Sequence, residues 1–286
     1  MSDTVYEQIG VERLTGAMGA VISGVDLAQE LSAAQFAEIR SALFEFGAIC
    51  FRDQKLDFAQ HAAFARRFGT LEVHPIVNGM EDHPEIIKMH KPAGQAATFG
   101  TDWHTDNSFF EKPSLGSILY SEIVPPVGGD TLFSNQQLAY EKLSDGLKRT
   151  LEGMVAIHSA QEAYTSPSAL EKYDSDGPIS YRRSDIIHQT VEHPVVIQHP
   201  VTGKKALYVN SYFTRQFKGW SEAESRPLIE YLCDHGVRVD FQCRMRWEAG
   251  MVAMWDNRIV QHAALNDYEA YERLIYRITV NGDALQ

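Results

Sequence analysis

Trp103-His104-Thr105-Asp106, answered far downstream by Trp255-Asp256-Asn257-Arg258 and His262, carries the densest chemical signal in the chain. On an extended strand, residues two apart point to the same face, so His104 and Asp106 would present an imidazole and a carboxylate to one ion. Trp255-Asp256-Asn257 reads as the end of a buried strand turning into a loop, and the next strand carries His262. A second imidazole there completes a two-histidine, one-carboxylate facial set, the arrangement that leaves positions on Fe(II) open to substrate and O2. Trp103 before the motif and Phe109-Phe110 after it supply apolar walls, and an oxidising site needs water excluded. With 11 histidines in the chain, the tripeptide alone leaves open the alternative of a histidine hydrogen-bonded to an aspartate on a polar loop.

Outward from this motif the chain is a series of short β-rich runs separated by Pro, Gly, Asn and Asp. The runs are Ile86 to Met89, Ser117 to Glu122, Met154 to His158, Pro194 to His199, Ala206 to Asn210, Val239 to Arg244, Met251 to Trp255 and Leu274 to Val280. Many short strands with turn signals between them predict an antiparallel sandwich or barrel. Ahead of them stands a helix, strand, helix unit. Ser32-x-x-Gln35 and Asp57-x-x-Gln60 are capping boxes; Phe36, Ile39, Leu43 and Phe46 follow the first at helical spacing, and Ala48 to Phe51 is a strand. Two helical inserts are expected, Asn135 to Leu151 and Ser221-x-x-Glu224 to about His235. Residues 163–189 have little periodicity and read as a surface loop or active-site cover. No repeat or linker divides residues 1–286, which are expected to form one domain.

The chain has 286 residues, 44% of them hydrophobic, enough for a substantial core. Its 26 Lys and Arg against 38 Asp and Glu give a formal charge of −12, which argues against nucleic acid as a partner. An anionic substrate would find no help from the global field, so buried arginines must attract it locally. Arg273-Leu274-Ile275-Tyr276-Arg277 offers two guanidinium groups in an otherwise apolar strand, four residues apart and so on one face. Unpaired buried charge is costly, so these arginines bind anions or form internal salt bridges, with Glu272 and Asp267 as the candidate partners. Cys50, Cys233 and Cys243 show no CxxC spacing and read as buried free thiols. The N-terminus lacks a signal-peptide pattern, and no apolar run approaches the roughly 18 residues of a membrane span. A cytoplasmic protein without membrane contact is expected, assembled as a homo-oligomer.

The motifs together point to a family. His104-Thr105-Asp106, Gly128-Gly129-Asp130-Thr131, His193-Pro194-Val195-Val196, His199-Pro200, Leu207-Tyr208-Val209-Asn210, Trp255-Asp256-Asn257-Arg258, His262, Arg273 and Arg277, in this order, resemble the TauD/TfdA family of Fe(II)- and 2-oxoglutarate-dependent dioxygenases. The resemblance runs from about Leu14, where Gly19-Ala20-x-x-x-Gly24-Val25-Asp26 is similar to the family's opening strand and turn, to Gly282. It implies a mainly β fold with flanking helices around a jelly-roll (double-stranded β-helix, cupin-like) core. It also implies a catalytic metal site in which His104, Asp106 and His262 bind Fe(II).

By the same resemblance, Arg273 and Thr131 hold the distal carboxylate of the co-substrate 2-oxoglutarate, a planar fork suiting a carboxylate, and Trp255 walls the pocket. The implied reaction consumes O2 and 2-oxoglutarate, releases succinate and CO2, and hydroxylates a C–H bond of a small anionic organic substrate. Arg277 matches the arginine that holds the substrate's anionic group, with His74 and the Asn107 backbone N–H as further contacts. Tyr212, or its neighbour Phe213, lines the substrate side. Gly100 stands where taurine-oxidising members carry an asparagine, which implies a bulkier or less amine-like substrate: an aryloxyalkanoate, sulfonate or sulfate ester. Hydroxylation beside the heteroatom would then give an unstable product that cleaves. A cupin-like zinc metallohydrolase using the same ligands and a non-catalytic ligand-binding protein of the same fold are the alternatives.

Overall fold

The computed structural model describes residues 4–96, 100–166 and 179–286, so residues 167–178 of the expected cover lie outside the described residues. The N-terminal third runs β1 (Gly10–Arg13), β2 (Ala20–Ser23), α1 (Ala33–Phe46), β3 (Ala48–Phe51) and α2 (Phe58–Arg66). Both predicted capping boxes are formed: Ser32 and Asp57 each accept from the backbone three residues on, and Gln35 and Gln60 reach back to the cap. Because α1 carries the chain over the sheet, β2 and β3 pair in parallel, as a crossover connection allows.

The central part contains β4 (Ile86–Lys91), β5 (Gly116–Ile123), β6 (Thr131–Asn135), α3 (Gln136–Glu141), α4 (Asp145–Leu151), β7 (Val155–Ser159) and α5 (Gln161–Thr165). The C-terminal part contains β8 (Thr190–Pro194), β9 (Val196–Gln198), β10 (Lys205–Leu207), β11 (Thr214–Phe217), α6 (Glu222–Gly236), β12 (Gln242–Met245), β13 (Val252–Asp256), β14 (Val260–Ala264) and β15 (Arg273–Val280). Seven strands form one sheet in the order β1-β2-β3-β13-β5-β15-β4. Three smaller sheets, β12-β6-β14, β11-β7-β8 and β10-β9, complete the strand set among the described residues.

Side-chain alternation assigns the faces. Ile49, Phe51, Ile118, Val252, Met254 and Ile278 pack with α1 and α2 on one side of the large sheet. Cys50, Ala253, Trp255 and Ile275 point the other way, where Phe133, Ile197, Tyr208 and Cys243 of the smaller sheets and their connections meet them. This second interface is the sandwich interior expected of a jelly roll. The site opens from it.

Several expected elements change at their ends. The run Pro194 to His199 is two strands, because buried Val195 donates its N–H to Met154 O and the chain then passes from the β7 partnership to β10. The insert Asn135 to Leu151 breaks into α3 and α4, the second with Ser144 as its own cap. Val239 to Phe241 is a 3-10 turn, so β12 starts only at Gln242. The 163–189 stretch was expected to be loop, yet it opens inside α5 and includes a 3-10 turn at Asp185–His188. β6 and β11 had no prediction, their Thr131-Leu-Phe-Ser-Asn and Thr214-Arg-Gln-Phe sequences being too mixed in polarity to show alternation.

Candidate metal and co-substrate site

His104, Asp106 and His262 converge, but His104 and Asp106 do not share a strand. His104 forms an isolated bridge with His262 of β14: each backbone N–H donates to the other's carbonyl, at 3.1 and 2.9 Å. Asp106 lies two residues on, inside a turn whose next residue, Asn107, has φ 54°. The expectation of an extended strand is therefore corrected. Cross-strand pairing sets the imidazoles side by side, with ring centroids 4.2 Å apart, and the turn swings the carboxylate beneath them.

Asp106 Oδ1 is 3.5 Å from His104 Nε2 and 3.8 Å from His262 Nε2, and one ligand atom from each residue falls within a 4.8 Å set. His104 Nδ1 faces Asp102 O at 2.7 Å, which leaves Nε2 as the lone-pair nitrogen. Ser117 Oγ donates to Asp106 Oδ2 at 2.8 Å and Arg277 approaches the same oxygen at 3.1 Å, so Oδ1 is left for the ion. Burial opposes ionisation of Asp106, but Arg277, His262 and His104 outweigh it and hold the carboxyl well below its usual range. Burial pushes His262 well below the usual imidazole range, so it is a neutral donor. Two imidazoles and one carboxylate in a mostly buried pocket match the donor set of non-heme Fe(II).

Arg273, Thr131 and Trp255 line the same cavity as His104 and His262. Glu272 is bonded to His90 and Asp267 accepts from Gly129 N–H, so neither expected partner pairs with Arg273. Its Nε is buried without a hydrogen-bond partner, and burial pulls the guanidinium below its usual value. A buried cation with an unsatisfied donor, opening into a cavity, fits a carboxylate supplied by a ligand. Thr131 Oγ1 accepts from the Trp247 indole N–H at 3.0 Å, which frees its own hydrogen to donate. Gly128 begins the turn that delivers Thr131. Its φ is 81°, and a Cβ there would lie 2.7 Å from the Asp267 carbonyl oxygen.

A second cavity shares His104, Gly100 and Arg277 with the first and extends to His74, Asn107 and Tyr212. Phe213 also lines it, so both residues of the Tyr212/Phe213 pair face this side. Arg277 is buried and donates Nε–H to Thr279 Oγ1 at 3.2 Å. His74 is held differently from expectation. Its Nδ1 accepts from the N–H groups of Ile76 and Val77, so Nε2 carries the proton and donates to Asn107 Oδ1 at 3.1 Å. Asn107 in turn donates to Glu72, whose carboxyl burial pushes up to about 7. Gly100 has φ 72°, and a Cβ there would come within 3.3 Å of the His104 ring.

Sequence reasoning missed Trp247, Lys91, Tyr268, Glu72 and Ser117. Trp247, one of four tryptophans, had a signal in its rarity; the others are single polar residues whose partners lie on distant elements. Asp256, inside the Trp255-Asp256-Asn257-Arg258 motif, is structural. Its carboxylate binds Arg258 at 2.5 Å and His199 at 3.0 Å, tying β13 to the loop after β9.

The comparisons agree with this geometry. The profile of the family described as "Taurine catabolism dioxygenase TauD, TfdA family" matches residues 10–279. An alpha-ketoglutarate-dependent sulfate ester dioxygenase from Pseudomonas putida is 36% identical over 96% of this chain and 90% of its own length. An alkylsulfatase from Acinetobacter baylyi is also 36% identical, over 97% and 86% respectively. The crystal structure of a taurine dioxygenase from Burkholderia xenovorans superposes with a TM-score of 0.82 at 34% identity, covering 98% of this chain and 91% of that one. With fold, donor set and profile in agreement, the chain belongs to the TauD/TfdA family of 2-oxoglutarate-dependent dioxygenases.

Proposed function

We propose that the protein hydroxylates a C–H bond of a small organic anion with an apolar body, a sulfate ester, sulfonate or aryloxyalkanoate, and that cleavage beside the heteroatom follows. The observation that carries this reading is the pairing of the His104, Asp106 and His262 cluster with two buried arginines of one strand, each lining a cavity that reaches the cluster. His104, Asp106 and His262 would hold Fe(II), which together with 2-oxoglutarate and O2 supplies the oxidising chemistry and releases succinate and CO2.

The chain's own work is binding, orientation and exclusion of water. Arg273 and Thr131 take the distal carboxylate of the co-substrate, and Trp255, at 2% exposure, closes the wall beside His262. Arg277 takes the substrate's anionic group. Its bonds to Asp106 and Thr279 use two of five N–H donors, so an anion is held by the rest while the carboxylate keeps its partner. The Asn107 backbone N–H is the second donor. His74 acts here through Asn107, since its only N–H is already given to that side chain. Val77, Ile87, Met89 and Ile179 line the remainder and favour an apolar substrate body. A side chain at Gly100 would press on His104, so the residue leaves space where a bulkier substrate can lie.

Named relatives support the substrate range: the Pseudomonas putida protein acts on sulfate esters, and a Cupriavidus pinatubonensis protein 31% identical to this chain acts on 2,4-dichlorophenoxyacetate. No helix among the described residues is long and apolar enough to cross a membrane. The same reading treats residues 1–286 as one unit and has it work in the cytoplasm as a homo-oligomer, which light scattering of the purified protein checks. To test the substrate class, O2 uptake is measured with Fe(II), 2-oxoglutarate and each anion in turn. Stimulation by at least one of the three classes is expected. Stimulation only by uncharged or cationic compounds, or activity with Zn(II) in place of Fe(II), would exclude the reading.

A further inference from the structure

Arg273 stands between two aromatic rings. Its guanidinium carbon lies 5.6 Å from the Trp247 centroid and 5.8 Å from that of Tyr268, both within cation–π range. Neither ring is passive. The Trp247 indole N–H is bonded to Thr131 Oγ1, so one side chain touches both groups assigned to the co-substrate's distal carboxylate. The Tyr268 hydroxyl adds an electrostatic interaction with the Arg273 guanidinium to the contact of its ring.

Tyr268 is itself anchored. It lies in the connection between β14 and β15, and Lys91, at the end of β4, reaches under that loop. Lys91 Nζ is within 3.4 Å of Tyr268 O and 3.1 Å of both Glu269 O and Tyr271 O, and 4.7 Å from the Tyr268 ring. A lysine at 2% exposure that spends its donors on one loop's carbonyls is costly to bury and has no surface role. It fixes the loop, and the loop fixes the phenol.

Resting on the reading that 2-oxoglutarate is the co-substrate, we propose that Trp247 and Tyr268, with Lys91 behind them, are positioning residues for its distal carboxylate. Indole and phenol hold the Arg273 guanidinium in one plane. The indole N–H, occupying a lone pair of Thr131 Oγ1, turns that hydroxyl's hydrogen outward. The pocket thus offers a planar fork and one O–H donor to a carboxylate at a fixed distance, which selects a 2-oxo acid carrying a second carboxylate.

Calorimetric titration of the Mn(II)-loaded protein tests this without turnover, using 2-oxoglutarate and 2-oxovalerate, which has the same five-carbon chain but no distal carboxylate. Tyr268→Phe, Trp247→Phe and Lys91→Met are each expected to raise Kd for 2-oxoglutarate about five- to tenfold, the range for one lost polar contact of ordinary strength. Kd for 2-oxovalerate should move less than twofold. In an Arg273→Met background, Tyr268→Phe should add nothing. Unchanged 2-oxoglutarate binding in folded Tyr268→Phe and Trp247→Phe, or equal loss of both ligands, would overturn the proposal. Wild-type protein that fails to bind 2-oxoglutarate would overturn the co-substrate reading itself, a separate result.

Discussion

At the scale of single residues, Arg273 and Arg277 carry opposite assignments although they share a strand and differ by four positions. Arg273 opens with an orphaned Nε beside Thr131, while Arg277 is bonded to Asp106 and Thr279 on the side of Tyr212 and Asn107. Arg273→Ala should therefore raise KM for 2-oxoglutarate by at least tenfold with a smaller change for the substrate, and Arg277→Ala should do the reverse. Steady-state kinetics with each varied in turn checks this; equal effects on both would sink the separate roles. The sequence already pointed to both residues, because charge in an apolar strand is conspicuous. Whether they met ligands or internal carboxylates was not legible, since Glu272 and Asp267 both lie within ten positions of either arginine and only the fold turns them to His90 and Gly129.

At the scale of elements, legibility follows locality. The capping boxes at Ser32, Asp57 and Ser221 were readable because cap and partner are three residues apart. Ser32→Ala should lower stability by about 1 kcal/mol, seen as a shift in denaturant midpoint. α2 holds a second, hidden device. His61 is fully buried against the ring of Tyr120, and burial pushes its imidazole down to about 4. The folded state thus keeps His61 neutral while the unfolded chain protonates below about pH 6.5. Its contribution is full above that value and fades as pH falls from 6.5 towards 4, a loss on the order of 3 kcal/mol. His61→Met should flatten that part of the stability curve relative to wild type; parallel curves would show that His61 is not the titrating group. His104-x-Asp106 was legible as a donor set and misread as geometry. Strand alternation predicted a common face, whereas a bridge to His262 and a turn at Asn107 do the work, and both depend on contacts more than 150 positions away in sequence or on one residue's backbone angle.

At the scale of the whole molecule, the site is assembled from segments that no local pattern links. β5 brings Ser117, β6 brings Thr131, β14 brings His262 and β15 brings both arginines, and the order β13-β5-β15 in the large sheet facing β12-β6-β14 is what gathers them. Strand order is a sum of long-range pairings, so the composition of the runs gave the class of fold but not its topology. The net charge of −12 makes the arrangement more telling, because Arg273 and Arg277 must act locally against the overall field. The most direct test of the account is succinate formation by protein reconstituted with Fe(II) and supplied with 2-oxoglutarate, O2 and a panel of sulfate esters, sulfonates and aryloxyalkanoates. Succinate should appear only with Fe(II), rise with at least one anion of the panel and vanish in Asp106→Ala; wild-type protein with iron bound that forms none across the panel would contradict the account.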